Sequence, residues 1–96
     1  MSYRLTPRAR ADLELISDYG LDRWGEARTG QYLSEIGRRI RMIGENPGVG
    51  SWRTVRGHRV KVFPTGRHLI VYRISGPDAE IQSVPHQAMR PNSWLP

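Results

Sequence analysis

The sequence contains no cysteine, which excludes a disulfide framework and any metal site built on thiolates. It has no apolar run near the ~18 residues that a membrane-spanning helix requires, so we expect no contact with the membrane interior. Its first residues, MSYRLTPRAR, lack the apolar core of a signal peptide. These absences predict a cytoplasmic protein, and a length of 96 residues predicts a single domain over residues 1–96.

Positive charge is abundant and unevenly distributed along the chain. Residues 1–45 hold eight arginines against seven acids, whereas residues 46–96 hold seven basic residues against two acids, a balance of +5 within a total of +6. Between Arg53 and Arg73 there are six basic residues and no acid. Such a block attracts nucleic acid, an acidic protein or an acidic membrane surface. A solvated face of an arginine-rich protein would have the same composition.

Two amphipathic helices are predicted in the first half of the chain. Thr6 followed by Pro7 is typical of a helix start, and Gly25 is expected to end this first helix. A second helix is predicted from Glu26 to Glu45. Because the connection is short, the two helices should form an antiparallel hairpin. Their apolar faces follow spacings of three and four, with Ala9, Leu13, Ile16, Gly20 and Trp24 on the first and Ala27, Leu33, Ile36, Ile40 and Ile43 on the second.

Short β-strands are predicted on either side of these helices. One lies at residues 2–5 before the hairpin, and three antiparallel strands follow it at 55–63, 67–74 and 79–84, after a loop at 46–52. Helices grouped before strands indicate an α+β layer without βαβ crossovers. The predicted order is β-α-α-β-β-β, a helical hairpin packed on a small antiparallel sheet.

The second half contains few residue patterns that are typical of catalysis. His58, His68 and His86 show neither metal-ligand spacing nor a nearby carboxylate cluster, and no phosphate-binding loop is present, so we predict no metal and no cofactor. Arg59 and Lys61, two residues apart, point to one face of a strand. Together with Arg73 and His86 they could hold a phosphate and exchange protons as in a metal-free ribonuclease, bind an acidic peptide, or be exposed strand residues beside a strand-end cap.

Several segments in a fixed order resemble the ParE toxins of the RelE/ParE superfamily of type II toxin–antitoxin systems. They are YRLTPRARADLELISDYGLDRWG, NPGVG, GHRVKVF, HLIVYRI and VPHQAM, and they cover essentially the whole chain. The resemblance implies the same hairpin-on-sheet fold. It also implies a ParD-like antitoxin with a ribbon-helix-helix amino terminus, whose carboxyl-terminal segment wraps the toxin. DNA would be contacted only through the antitoxin, and the expected target is DNA gyrase, inhibited without catalysis by the toxin itself.

The sister RelE branch, which cuts messenger RNA on the ribosome, provides the main alternative function. The basic pair on the second strand of RelE proteins corresponds to Arg59 and Lys61. Two further RelE arginines have no counterpart, since their positions fall near Leu69 and Gln87. The carboxyl-terminal tyrosine of RelE is also missing, since its position falls around Ser93 or Trp94. Without those cations a scissile phosphate has little charge stabilisation, which favours the gyrase-directed branch. A carboxyl-terminal histidine acts as general acid in some superfamily ribonucleases, so His86 keeps a metal-free endoribonuclease open. A non-toxic module that only binds its antitoxin is a third possibility.

The sequence offers two sets of candidate binding residues, and no catalytic residue is predicted. The first set is predicted to bind the target or a partner at one end of the sheet, and comprises Arg59, Lys61, Arg73, His86, Met89 and Trp94. The second is predicted to form an apolar antitoxin groove where the hairpin meets the sheet, and comprises Leu13, Ile16, Leu33 and Ile40. For His86 and Met89 two interpretations stay open: an exposed functional contact, or a sheet cap with Met89 in the core.

Overall fold

Two helices and five strands make up the computed structural model, which describes residues 2–96. The helices are α1 (Pro7–Trp24) and α2 (Glu26–Glu45). The strands are β1 (Tyr3–Leu5), β2 (Ser51–Val55), β3 (His58–Thr65), β4 (His68–Ser75) and β5 (Asp78–Ser83). Short 3-10 helices occupy Pro47–Val49 and Pro91–Trp94. The α+β class, with a helical hairpin packed on a sheet, is confirmed.

The helical hairpin begins and turns at the residues predicted for it. The Thr6 hydroxyl accepts a hydrogen bond from the Ala9 amide at 3.1 Å, which satisfies one of the free donors of the first helical turn. Pro7 occupies the first turn, where the missing N–H costs nothing. Gly25 has a φ of 83°, a left-handed conformation that suits glycine. This single residue separates α1 from α2 and folds them back on each other.

The sheet has one strand more than the sequence predicts, and it is mixed. Its order is β1-β5-β4-β3-β2, with β1 parallel to β5 and every other pair antiparallel. The segment 55–63, predicted as one strand, contains a turn at Arg56 and Gly57, whose φ angles are 50° and 79°. Two consecutive positive φ values are typical of a type I′ hairpin turn. The strand before this turn, β2, lies partly in the segment predicted as a loop.

Each face of the sheet is covered by its own apolar core. Between the helices and the sheet, α1 and α2 contribute Ala9, Ile16, Ile36, Ile40 and Ile43, and the strands contribute Ile70, Tyr72, Ala79 and Ile81. The opposite face holds Val55, Val60, Val62 and Val71, and Trp94 and Leu95 of the carboxyl-terminal segment close it. Within residues 2–96, neither helix carries a stretch apolar and long enough to cross a bilayer.

Candidate partner-binding groove

An open apolar groove of about 510 Å³ lies between α1 and the segment that follows β5. The side chains of Leu15 and Tyr19 line one wall, and those of His86 and Met89 line the other. Leu15, Tyr19 and Met89 are 66%, 54% and 41% exposed. The complete lining comprises Asp12, Leu15, Ile16, Tyr19, Trp24, Arg67, His68, Val84, Pro85, His86 and Met89. Clustered exposed apolar side chains with a polar rim are typical of a protein–protein contact.

The wall after β5 is fixed by backbone hydrogen bonds that continue beyond the end of the strand. The Leu69 amide donates to the Pro85 carbonyl at 2.9 Å, and the Gln87 amide donates to the Arg67 carbonyl at 2.8 Å. His86 therefore forms an isolated antiparallel bridge with His68. The Val84 amide donates to the Asp12 carboxylate at 2.8 Å. Strand β5 and α1 are thus held at a fixed separation, and this separation sets the width of the groove.

The hydroxyl of Tyr32 connects α2 to the floor of the groove. The Arg67 amide donates to this oxygen at 2.9 Å, and the oxygen lies 2.6 Å from His68 Nδ1. We assign the hydroxyl proton to His68 Nδ1, because the other acceptor in reach, the Thr65 carbonyl, is more distant, at 3.4 Å. His68 therefore carries its own proton on Nε2.

Burial is the main reason why the pKa of His68 falls from its ordinary 6.5 to about 4. The nearby His86 lowers this pKa further, since two imidazolium charges repel, and the Asp12 carboxylate partly opposes both effects. At neutral pH His68 is therefore an uncharged hydrogen-bond acceptor for Tyr32. Its role in the groove is structural, because the neutral form holds the turn between β3 and β4 against α2.

Glycine is required at position 66, in the turn beside Tyr32. Its φ is 58°, and a Cβ there would lie 2.5 Å from the Tyr32 ring. Both the backbone conformation and the lack of space exclude a side chain. The close approach of Gly66 is what allows the Tyr32 hydroxyl to reach the Arg67 amide.

Five aromatic rings form a continuous series along the groove. The centroid distances are 6.0 Å for Tyr19–Trp24, 5.7 Å for Trp24–Tyr32, 5.6 Å for Tyr32–His68 and 5.2 Å for His68–His86. All four pairs meet edge to face, an arrangement favoured by the ring quadrupoles. The groove consequently has a preformed wall, so that a partner would meet side chains that are already ordered.

The structure brings only part of the predicted groove to the surface. Ile16 lines it, whereas Ile40 is 3% exposed and belongs to the core. Leu13 and Leu33 also pack against that core. Of the predicted groove residues only Ile16 lines this depression, because the periodic apolar stripe faces the sheet. Burial of Ile40 in the core contradicts its predicted exposure, whereas antitoxin contact by the half-buried Leu13 and Leu33 stays a prediction. The exposed α1 side chains that line the groove, Leu15 and Tyr19, lie beside the stripe and are four residues apart.

His86 and Met89 lie at the groove and are exposed. The interpretation that Met89 fills the core is excluded, and His86 reaches the sheet through its backbone bridge while its ring faces the groove. Trp94 is 3% exposed and packs in the second core. The prediction that Trp94 contacts a target is wrong, because its side chain closes the sheet from behind.

The predicted basic residues do not share one surface with His86. Arg59 and Lys61 lie on the helix-facing side of β3, with their charged groups 4.5 Å and 4.2 Å from the centroid of the Trp52 ring. Lys61 is only 5% exposed, and its Nζ donates to the Gly50 carbonyl. Arg73 lies on the opposite face of the sheet, across from Glu80 in the β4–β5 register. It also lies five residues, about 17 Å, along β4 from the His68 bridge.

No group of three or more His, Asp or Glu side chains within residues 2–96 is arranged to hold a metal ion. A phosphate bound beside His86 would be out of reach of the predicted cations Arg59, Lys61 and Arg73. The groove residues found only in the structure include Leu15, Tyr19, Arg67 and His68. Leu15 and Tyr19 are large apolar residues outside the buried stripe, but Leu21 shares this feature, so the sequence alone does not single them out.

The fold and the groove define a small α+β protein that presents an ordered apolar surface to a macromolecular partner. The same fold occurs in a solved structure described as the chromosomal ParDE TA system from P. aeruginosa, with a TM-score of 0.76 over 90% of this chain and 95% of that one. Sequence identity in this match is 22%, so it shows the fold alone.

The chain belongs to the ParE toxin family. The family model described as the ParE toxin of type II toxin–antitoxin system, parDE, matches residues 3–91. Toxin ParE1 of Caulobacter vibrioides is 37% identical over 93 residues, which cover 97% of this chain and 96% of that protein. Toxin ParE1 of Mycobacterium tuberculosis is 34% identical over 88 residues, covering 91% and 90%. The resemblance found in the sequence is confirmed: the protein is the toxin of a toxin–antitoxin pair, and its partner is an antitoxin.

Proposed function

We propose that the groove holds the carboxyl-terminal segment of a ParD-like, ribbon-helix-helix antitoxin, and that the free toxin inhibits DNA gyrase in the cytoplasm without being an enzyme. The observation that carries the proposal is the exposed apolar set Leu15, Tyr19 and Met89 around a preformed aromatic wall. An amphipathic segment laid in such a groove buries its apolar side chains there.

Positive charge at the rim supports an acidic partner. Arg67 lines the groove, and the Arg23 guanidinium lies 4.7 Å from the centroid of the Tyr19 ring. Acidic antitoxin residues facing these cations would accelerate association and fix the register of the bound segment. The bound antitoxin would cover His86 and Met89, which makes this surface unavailable to any other partner.

The groove is tested with a matched pair of leucine substitutions on α1. Leu15 lines the groove, whereas Leu21 is also exposed, at 47%, and lies outside it. In a calorimetric titration with the product of the neighbouring gene, we expect Leu15→Ala to weaken binding at least about tenfold, roughly 1.4 kcal/mol. Leu21→Ala should leave the affinity unchanged. Equal effects of the two substitutions would place the antitoxin elsewhere.

The gyrase target is supported by what occupies the positions of the ribonuclease arginines. Leu69 packs against the second core, and the Gln87 side chain donates from Nε2 to the Gly66 carbonyl at 2.9 Å. Both side chains stabilise the fold at places where the RelE branch stabilises a phosphate. The Lys61 ammonium is itself held by the Gly50 carbonyl, which leaves Arg59 as the exposed cation of the pair.

A supercoiling assay with purified DNA gyrase tests the target directly. The toxin should block supercoiling and produce linear DNA, and stoichiometric antitoxin should restore activity. A parallel incubation with ribosomes and messenger RNA, followed by 5′-end mapping, should show no new ends. Cleavage that is lost in His86→Ala would instead select the interferase. Antitoxin binding without either effect would select the non-toxic module.

A further inference from the structure

A second, polar pocket adjoins the apolar groove. Its volume is also about 510 Å³, and it is lined by Trp24, Arg28, Gln31, Tyr32, Glu35, Gly66 and Arg67. Trp24 and Arg67 line both depressions. They form the boundary at which an apolar surface changes to a polar one. A chain lying in the groove and continuing past Trp24 would therefore enter the polar pocket.

The polar pocket is electrostatically positive in spite of its one acid. The Glu35 carboxylate is engaged by two arginines of its own helix, Arg38 and Arg39, which neutralises it. Arg28 and Arg67 are exposed, and within residues 2–96 neither guanidinium takes part in an ion pair. The Tyr32 hydroxyl is already committed to His68 and the Arg67 amide. The pocket thus offers two uncommitted guanidinium groups and no uncommitted carboxylate.

We propose that this polar pocket is a carboxylate subsite for the antitoxin, in which Arg28 and Arg67 bind an Asp or Glu side chain. The inference rests on the proposed function, because it concerns the continuation of the same bound segment. Guanidinium groups bind carboxylates in a planar, two-bond geometry, which gives the site directional selectivity. An antitoxin with a neutral or basic residue at this point would leave both arginines facing a poor partner. The pocket therefore selects among antitoxins after the apolar groove has captured them.

The geometry of α1 predicts where the acid lies in the antitoxin. Leu15 and Trp24 are nine residues apart on α1, which corresponds to about 14 Å at 1.5 Å per residue. If the bound antitoxin segment is helical, its acid should therefore lie about nine residues from the apolar antitoxin side chain that packs on Leu15. In an extended segment the separation would be about four residues.

The test measures binding of the full-length antitoxin to toxin variants with one reversed charge. Arg28→Glu and Arg67→Glu should each weaken binding about tenfold or more. Arg41→Glu is the matched control, because Arg41 is exposed on α2 and lines neither depression. All three residues are exposed, and melting curves would verify that the variants are folded.

A charge swap distinguishes direct pairing from a general electrostatic effect. Replacing the predicted antitoxin acid by arginine should weaken binding to the unmodified toxin and restore it with Arg28→Glu or Arg67→Glu. Loss of affinity that no such swap restores, or equal loss in Arg41→Glu, would overturn the inference. If Leu15→Ala still weakens antitoxin binding in the same titrations, the groove proposal stands even though the carboxylate subsite is refuted. An inert Leu15→Ala would refute the groove itself.

Discussion

Removal of the Tyr32 hydroxyl is expected to weaken the fold at the floor of the groove. In Tyr32→Phe the ring remains between Trp24 and His68, but His68 Nδ1 loses its donor at 2.6 Å. An acceptor left without a partner in a buried site costs about 1–3 kcal/mol. His68 is only partly buried, which reduces this cost. The Arg67 N–H also loses its acceptor, the Tyr32 oxygen, but Arg67 is exposed and water can replace it. We therefore expect a decrease of about 1–2 kcal/mol in the free energy of unfolding.

Urea denaturation at pH 7 measures this loss, and Tyr19→Phe provides the control. Tyr19 is 54% exposed and belongs to the same aromatic series. Removing its hydroxyl should change the free energy of unfolding by less than about 0.5 kcal/mol. For a domain of this size the Tyr32 variant should melt about 4–8 °C lower for each kcal/mol lost. Equal stabilities of the two variants would refute the assignment of the hydroxyl as the connection between α2 and the β3–β4 turn.

Two further predictions concern His68 and Trp94. Burial and His86 hold the pKa of folded His68 at about 4, below its ordinary 6.5, so between these values the unfolded chain binds more protons. The stabilisation is complete above pH 6.5 and is lost as the pH falls towards 4. The full shift corresponds to about 3 kcal/mol, which solvent screening of this partly exposed group reduces to about 1–2 kcal/mol. Urea titrations should show a smaller loss of unfolding free energy between pH 7 and pH 4 in His68→Gln than in the wild type, by about that amount. Trp94→Ala should destabilise the protein by about 3–5 kcal/mol, as expected for a buried tryptophan. If Trp94→Ala kept wild-type stability and weakened target binding, the buried placement of the Trp94 side chain would be wrong.

The parts of the fold that were predicted correctly are those with local signals. Thr6 and Gly25 mark helix ends through their own backbone chemistry, and the predicted helix bounds are confirmed. The turn at Arg56 was missed because arginine rarely adopts a positive φ, and the single turn signal, Gly57, lies inside a segment of alternating strand character. Strand β2 was missed for a related reason, since the glycines and proline before it are typical of a loop.

The candidate site was predicted less well because it depends on contacts between distant residues. Tyr32 and His68 are 36 residues apart, and no local pattern predicts that they meet. The face on which Arg73 lies is determined by strand register, where a shift of one residue exchanges the two faces. For His86 and Met89 the sequence left an exposed contact and a sheet cap with a core methionine both open, and the exposed side chains in the structure agree with the first.

The pairing of the first strand with the last affects how the toxin can be made. Tyr3 lies opposite Ala79, and the groove joins residues of α1 to residues 84–89. A ribosome that has synthesised most of the chain has therefore produced the hairpin but neither the sheet edge nor the binding surface. Contacts of such large sequence separation form late and slowly. If the antitoxin binds this groove as proposed, it meets a surface that exists only after residues 84–89 have been synthesised and have packed beside α1.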